Sequence, residues 1–186
     1  MVAFDNSIFS IAIHPESKGS VDRASDRVDY LLENLKRLDE RIVLPAPAFS
    51  EFLVLAKHDG PLYMAKIREM SIFRIEPFDE RAAIELADIE LSIRARGGKR
   101  GSVPEADWQK IKFDRQIVAI AKAHGCKRLY SDDPHIVRHG EDCDLEVIQL
   151  ADLPLPPAVQ ASLTLTVSDR DSEDVAEKAT PNEINT

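Results

Sequence analysis

Residues 112–136, KFDRQIVAIAKAHGCKRLYSDDPHI, place a helix directly before a short strand. The residues three, four and seven positions after Asp114 are apolar, which is the spacing of one helical face. Gly125 then occupies the usual position just beyond a helix end. The run 128–131 predicts a strand, and Asp133 follows it closely. This stretch therefore predicts one helix–strand unit of an α/β fold.

The same alternation extends along the chain. Short apolar strands are predicted at residues 2–5, 42–44, 71–75, 128–131 and 145–148. Helices are predicted at residues 20–39, 47–58, 62–70, 79–96 and 111–124. Helices that alternate with short apolar strands indicate a three-layer α/β/α, Rossmann-like domain around a central parallel sheet.

The composition changes at the C-terminal end. The segment LPLPPAVQ is rich in proline, and the residues after it offer almost nothing to bury. From Pro154 onward there are six acidic and two basic residues. We therefore predict a folded domain over residues 1–153 and a flexible acidic tail, disordered or ordered by a partner, over residues 154–186.

Composition and termini indicate a cytoplasmic protein. The hydrophobic share of 44% and the charged share of 31% are ordinary for a soluble globular chain. No apolar run approaches the roughly 20 residues of a membrane helix, so no membrane association is expected. The N-terminus has neither a basic start nor a small-residue cleavage site, so no secretory signal is predicted. Cys126 and Cys143 form no paired motif and are expected to be free thiols in a reducing compartment.

The net charge of −9 does not exclude nucleic acid as a ligand. The tail, with six acidic and two basic residues, contributes −4 of this net charge. The stretch 94–112 holds six basic and only two acidic residues. A local basic strip can follow a phosphate backbone even when the global charge is negative.

Four carboxylates are notable for their positions. Asp5 and Asp133 follow predicted strands, and ligands bind beyond the carboxyl ends of strands in open parallel sheets. Asp114 lies in line with the apolar stripe of its helix. Glu51 has Val54 and Leu55 three and four residues later, so it is expected to project from a largely apolar face.

Buried carboxylates are costly unless they are paired, hydrogen-bonded or bound to a metal. No partner cations are obvious for these four, and sites rich in oxygen suit Mg²⁺ or Mn²⁺. Each acid taken alone is equally typical of a helix cap or a solvated side chain. The set is more informative, because one fold places all four near the same edge of the sheet.

Four segments, in this order, resemble the acidic motifs of the PIN-domain family, and most of all its VapC-type toxins: VAFDNSIF, PAPAFSEFL, KFDRQIVAIAKAHG and LYSDDPHI. The resemblance covers about residues 1–150. It implies an Mg²⁺-dependent endoribonuclease in which Asp5, Glu51 and Asp114 are the first three acids. Asp133 matches the fourth, with Asp132 as the alternative if the strand ends one residue earlier.

The resemblance also implies in-line hydrolysis of a phosphodiester bond. Asp5 and Asp114 are expected to ligate the metal directly, and Glu51 and Asp133 to complete its shell, hold water or orient the nucleophile. Asn6 and Ser131 stand where the family commonly has a hydroxyl residue and threonine, and they are expected to orient these carboxylates.

The expected partners are RNA, a small antitoxin protein that would cover the acidic pocket, and a second copy of the chain in a homodimer. Arg96, Lys99 and Arg100 form either a solvated loop or a basic lip that guides RNA to the metal. Trp108 beside them is interpreted as an anchor of that loop on the core, with stacking on a base as the alternative.

The sequence fits other functions to different degrees. A PIN nuclease of RNA processing or quality control fits the sequence as well as a toxin does. A haloacid-dehalogenase-like phosphatase also has Asp after its first strand, but it requires DxD, and the second residue after Asp5 is Ser7. His135 and His139 have a helical metal-ligand spacing, but no HExxH motif or third ligand accompanies them.

Overall fold

The computed structural model describes residues 1–14, 21–101, 105 and 107–157. The strands are β1 (Val2–Phe4), β2 (Ile42–Pro45), β3 (Phe73–Glu76), β4 (Arg128–Tyr130) and β5 (Glu146–Ile148). The α-helices are α1 (Asn6–Ile13), α2 (Ala24–Arg37), α3 (Ala46–Ala56), α4 (Gly60–Glu69), α5 (Glu80–Ala95), α6 (Trp108–Ala123) and α7 (Pro134–Asp142). Nearly all of the predicted tail, and the predicted helix start at Ser20, lie outside the described residues.

All five strands belong to one parallel sheet in the order β3-β2-β1-β4-β5. The predicted three-layer α/β/α architecture with a central parallel sheet is confirmed. The chain leaves β1 toward β2 and β3 on one side and returns on the other side to form β4 and β5. The point where the strand order reverses lies between β1 and β4, and in such sheets the ligand crevice opens there.

The strands β1 and β2 are buried on both faces because helices cover both sides of the sheet and alternate residues of a strand point to opposite sides. Phe4, Ile42 and Leu44 pack with α1, α2 and α3 on one side. Ala3, Val43 and Leu129 pack with α5, α6 and α7 on the other side. The helical layers hold the crevice at the carboxyl edge in a fixed shape.

Two helices were not predicted. The segment NSIFSIAI of α1 is short and almost entirely apolar, and periodicity cannot separate such a run from a buried strand. Helix α7 is capped by Asp133 and begins with Pro134, so its start signal was present, but its nine residues carry a narrow apolar stripe. Both helices begin directly after a strand at the carboxyl edge, so they form part of the walls of the crevice.

The remaining predicted elements are present with shifted boundaries. Helix α2 begins at Ala24, after Arg23 in a left-handed conformation, and β3 begins at Phe73 after a turn.

Cys126 and Cys143 are separate buried thiols. Among the described residues, no helix combines the length and apolar character that crossing a membrane requires. Met1–Pro156 forms one compact unit.

Candidate active site

Asp5 lies at the end of β1, where its backbone N–H donates to the carbonyl of Tyr130 at the end of β4, 3.0 Å away. Its side chain is only 4% exposed. Oδ2 accepts hydrogen bonds from Ser131 Oγ at 2.9 Å and from Ser7 Oγ at 3.3 Å. Oδ1 is buried and has no hydrogen-bond partner among the described residues. Burial raises the pKa of this carboxyl, although the bond from Ser131 opposes the rise.

Asp114 occupies the first half of α6 and is also 4% exposed. The apolar stripe predicted after it, which includes Ile117 and Val118, packs against the sheet, so the carboxylate is carried into the same layer. Its Oδ2 is buried without a hydrogen-bond partner among the described residues. Burial raises the pKa of Asp114 to about 7, even though the charge of Lys110 lowers it.

Asp133 caps α7, and its Oδ1 accepts a hydrogen bond from His135 N at 2.8 Å. Its Oδ2 accepts one from Lys110 Nζ at 2.6 Å. Burial alone would raise the pKa of Asp133, but the hydrogen bonds from Lys110 and from the His135 backbone bring it below its ordinary value. Asp132 instead accepts from Leu150 N at 2.8 Å. The geometry therefore favours Asp133 over Asp132 as the fourth acid.

Glu51 shares its part of α3 with Val54 and Leu55, the residues of the predicted apolar face. These two side chains do not pack on the core but are 75% and 65% exposed. The turn of α3 that carries these residues is instead one wall of an open cavity of about 620 Å³, which Glu51, Asp114 and Lys110 also line. The Glu51 carboxyl is partly desolvated, which raises its pKa together with the charge of Asp5.

The other three predicted acids lie near enough to Asp114 for their charges to act on it. The charges of Asp5, Glu51 and Asp133 all raise the pKa of Asp114. One ligand atom each from Asp114, Asp133 and His135 lies within 4.8 Å of the others. Among the described residues this converging group does not include Asp5 or Glu51. The buried oxygens of Asp5 and Asp114 that lack a hydrogen-bond partner are costly in a low-dielectric setting, and a divalent cation is the kind of ligand that would satisfy such an oxygen. The donor set thus fits a hard cation.

Three site residues were not recognised from the sequence. Lys110 was counted only within the basic stretch, although it precedes Asp114 by one helical turn and so shares its face. Ser7 bonds to Asp5 and accepts from Asp132 N at 2.9 Å, and its position two residues after Asp5 was the available signal. His135 approaches Asp114 and Asp133, not the buried His139 with which its spacing had paired it. Asn6 contributes to Asp5 through its backbone, while its side chain accepts from Ser10.

The basic loop with Arg96, Lys99 and Arg100 contacts the helices next to the site. Arg115, wholly buried and adjacent to Asp114, donates to Glu90 Oε1 at 2.6 Å and to the carbonyl of Lys99 at 3.1 Å. Lys99 Nζ lies 4.2 Å from the ring centroid of Trp108, which packs against Ile111. Arg96 donates to the carbonyl of Asp142. Arg100 is described as well, whereas residues 102–104 and 106 of this loop are not.

Comparison with known proteins identifies the family and the fold. No curated protein matches the chain. Among solved structures, the FitAB complex bound to an IR36 DNA fragment is 20% identical over 83% of this chain and 98% of that one, with a TM-score of 0.55. VapBC2 from Rickettsia felis, bound to a promoter DNA fragment, is 15% identical over 80% and 98% of the two chains, with a TM-score of 0.54.

VapC20 of Mycobacterium tuberculosis, described as a sarcin-ricin loop cleaving toxin, is 14% identical over 75% and 95% of the two chains, with a TM-score of 0.51. At these identities the likeness shows a shared fold. A family model for the PIN domain matches residues 20–141, about two thirds of the chain. The match includes Glu51, Asp114 and Asp133, whereas Asp5 lies 15 residues before its start. The chain belongs to the PIN-domain family.

Proposed function

We propose that the protein is a metal-dependent endoribonuclease that uses Mg²⁺, with Mn²⁺ as a substitute. The observation that carries this proposal is the pair of buried, unpartnered carboxylate oxygens of Asp5 and Asp114 at the carboxyl edge of the sheet. A protein that only binds RNA has no reason to bear the cost of burying two carboxyl groups without partners. Family membership and fold both favour a nuclease.

Each residue of the site has a separate role in this proposal. Asp5 and Asp114 would hold the cation, with Asp133 and Glu51 at its periphery. A bound divalent cation supplies a Lewis acid that polarises the phosphodiester and activates water. Ser131 fixes one oxygen of Asp5 by a 2.9 Å hydrogen bond and would leave the other available to the cation. Glu51, which lines the open cavity, would orient the attacking water and take up its proton.

The substrate in this proposal is RNA. The cavity of about 620 Å³ beside Glu51 and Asp114 is large enough for a nucleotide. The loop with Arg96, Lys99 and Arg100 carries three positive charges and is attached to α6, the helix of Asp114, because Arg115 donates to the carbonyl of Lys99 at 3.1 Å. That charge would attract the phosphate backbone toward an otherwise acidic protein.

We further propose that the nuclease is the toxin of a toxin–antitoxin pair. The fold is that of proteins solved as VapBC and FitAB complexes. Val54, Leu55 and Phe113 are exposed apolar side chains along the cavity rim, as a partner that covers the acidic pocket would require. A homodimer is also expected. The alternative, a PIN nuclease of RNA processing, predicts no growth arrest on expression, whereas a toxin arrests growth and is rescued by a small partner protein.

The proposal is tested by removing one carboxylate charge at a time. Asp5→Asn and Asp114→Asn should each abolish Mg²⁺-dependent RNA cleavage, because a neutral amide replaces the charged carboxylate through which Mg²⁺ is held. Circular dichroism should show an unchanged fold. Asp29→Asn, on the exposed side of α2, is the matched control and should cleave like the wild type. Activity retained by either site variant would exclude the assignment.

A further inference from the structure

Lys110 lies among the carboxylates of the site. It precedes Asp114 by one turn of α6, and its Nζ is 2.6 Å from Asp133 Oδ2. The side chain is 44% exposed and lines the cavity that Glu51 and Asp114 share. Among the described residues, its charge is the one that stabilises the ionised forms of Asp114, Asp133 and Glu51 alike. Lys110 thus stands in the structure as the counter-ion of the cluster.

Both oxygens of Asp133 are already engaged. Oδ1 accepts from His135 N as the cap of α7, and Oδ2 accepts from Lys110. The cap is part of the helix and is retained whenever α7 is folded. A divalent cation that binds Oδ2 of Asp133, the oxygen not used by the cap, must share or displace Lys110, and two cations on one oxygen repel each other.

Release of Lys110 would not leave its ammonium without a partner. The four-carbon stem is flexible, the head carries three donors, and lysine is a common ligand of phosphate. The side chain borders an open cavity of about 620 Å³ whose lining also includes the acidic residues Glu51 and Asp114. A phosphodiester bound in that cavity would lie within reach of the released ammonium. Lys112, two residues later, points elsewhere, with its Nζ 5.6 Å from the ring centroid of Trp108.

We propose that Lys110 is a positioning residue that changes partners: it neutralises Asp133 in the metal-free protein and, when a divalent cation binds, transfers its charge to the phosphate backbone of the substrate. This inference rests on the proposed function, since it needs a phosphodiester in the cavity. Cation binding and substrate binding would then support each other, because the cation frees the group that the substrate uses.

The first experiment measures binding of Mn²⁺ alone by calorimetry, without RNA. Lys110→Met should bind Mn²⁺ about tenfold more tightly than the wild type, because the competing charge is gone. Lys110→Arg and Lys112→Met should stay within about twofold, the first because it restores the charge and the second because it removes a charge outside the cluster. Equal affinity in wild type and Lys110→Met would overturn the displacement.

The second experiment measures binding of a labelled oligouridylate by fluorescence anisotropy in Ca²⁺ at several salt concentrations. Lys110→Met should bind about tenfold more weakly, and the slope of log affinity against log salt should fall by about 0.7. Lys110→Arg should restore both. An unchanged affinity and slope would overturn the phosphate contact. Neither experiment measures cleavage, so a wild-type protein that binds but does not cleave would remove the proposed nuclease and not this role of Lys110.

Discussion

At the scale of single residues, the site is defined by what burial does to Asp114. This carboxyl has an ordinary pKa near 3.8, and in the folded protein burial raises it to about 7. Between these values the folded protein binds more protons than the unfolded chain. The free energy of unfolding therefore falls as pH rises through this window and stays low above it. The metal-free protein is destabilised at neutral pH by the group that would hold the metal.

We expect Asp114→Asn to be more stable than the wild type in EDTA at pH 8, by about 4 °C or more in thermal midpoint, and equally stable only at about pH 3, below the ordinary pKa of the carboxyl. Mg²⁺ should remove the difference at pH 8 by stabilising the wild-type native state. Thermal denaturation followed by circular dichroism checks both. A difference that does not vary with pH would show that the carboxyl of Asp114 is not destabilised when ionised.

At the scale of elements, α7 and the site share one side chain. Asp133 caps the helix with Oδ1 and presents Oδ2 to the carboxylate cluster, so its structural and functional contributions are separable. Helix α6 has a cap of the same kind, because Asp107 accepts from Gln109 N at 2.8 Å, but this carboxylate is exposed at the helix start.

Asp133→Asn should keep the stability of the wild type, because asparagine is as good a cap as aspartate, and should lose affinity for Mn²⁺. Asp133→Ala should lose that affinity and also about 1 kcal/mol of stability. Urea denaturation and Mn²⁺ titration measure the two effects. Asp107→Ala is the matched control: it should lose a similar stability while keeping Mn²⁺ affinity. Normal Mn²⁺ binding by Asp133→Asn would remove Asp133 from the metal site.

At the scale of the whole molecule, the end of the folded unit is fixed by packing on α2. Leu150 and Leu153 are buried at 0% and 3% exposure in the core cluster on that side of the sheet. Arg27 of α2 donates to the carbonyls of Ala151, at 3.3 Å, and Leu153. We propose that the folded domain needs the chain as far as Leu153 and that residues 158–186 serve another purpose.

A chain that ends at Pro157 should keep the thermal midpoint and RNA cleavage of the full chain. One that ends at Gln149 should lose at least about 3 kcal/mol, because two buried leucines are removed together with the acceptors of Arg27. Thermal denaturation of both chains tests this. A large loss of stability on cutting at Pro157 would contradict the domain boundary.

The sequence by itself determined the alternation of helices and strands, the parallel sheet, and the placement of Asp5, Asp114 and Asp133 at its carboxyl edge. These follow from local patterns, because apolar periodicity and the position of an acid after a strand need no knowledge of distant residues. The same patterns missed α1 and α7, because a short apolar run or a narrow apolar stripe has no distinctive period.

Only the tertiary structure decided which carboxylate oxygens lack a partner, that Val54 and Leu55 are exposed, and that Lys110 pairs with Asp133. Each of these depends on atoms brought together from segments far apart in the chain. Lys110 and Asp133 are 23 residues apart and meet because α6 packs against α7, which Asp133 caps. Burial, pairing and desolvation are properties of such contacts, and no local pattern of residues encodes them.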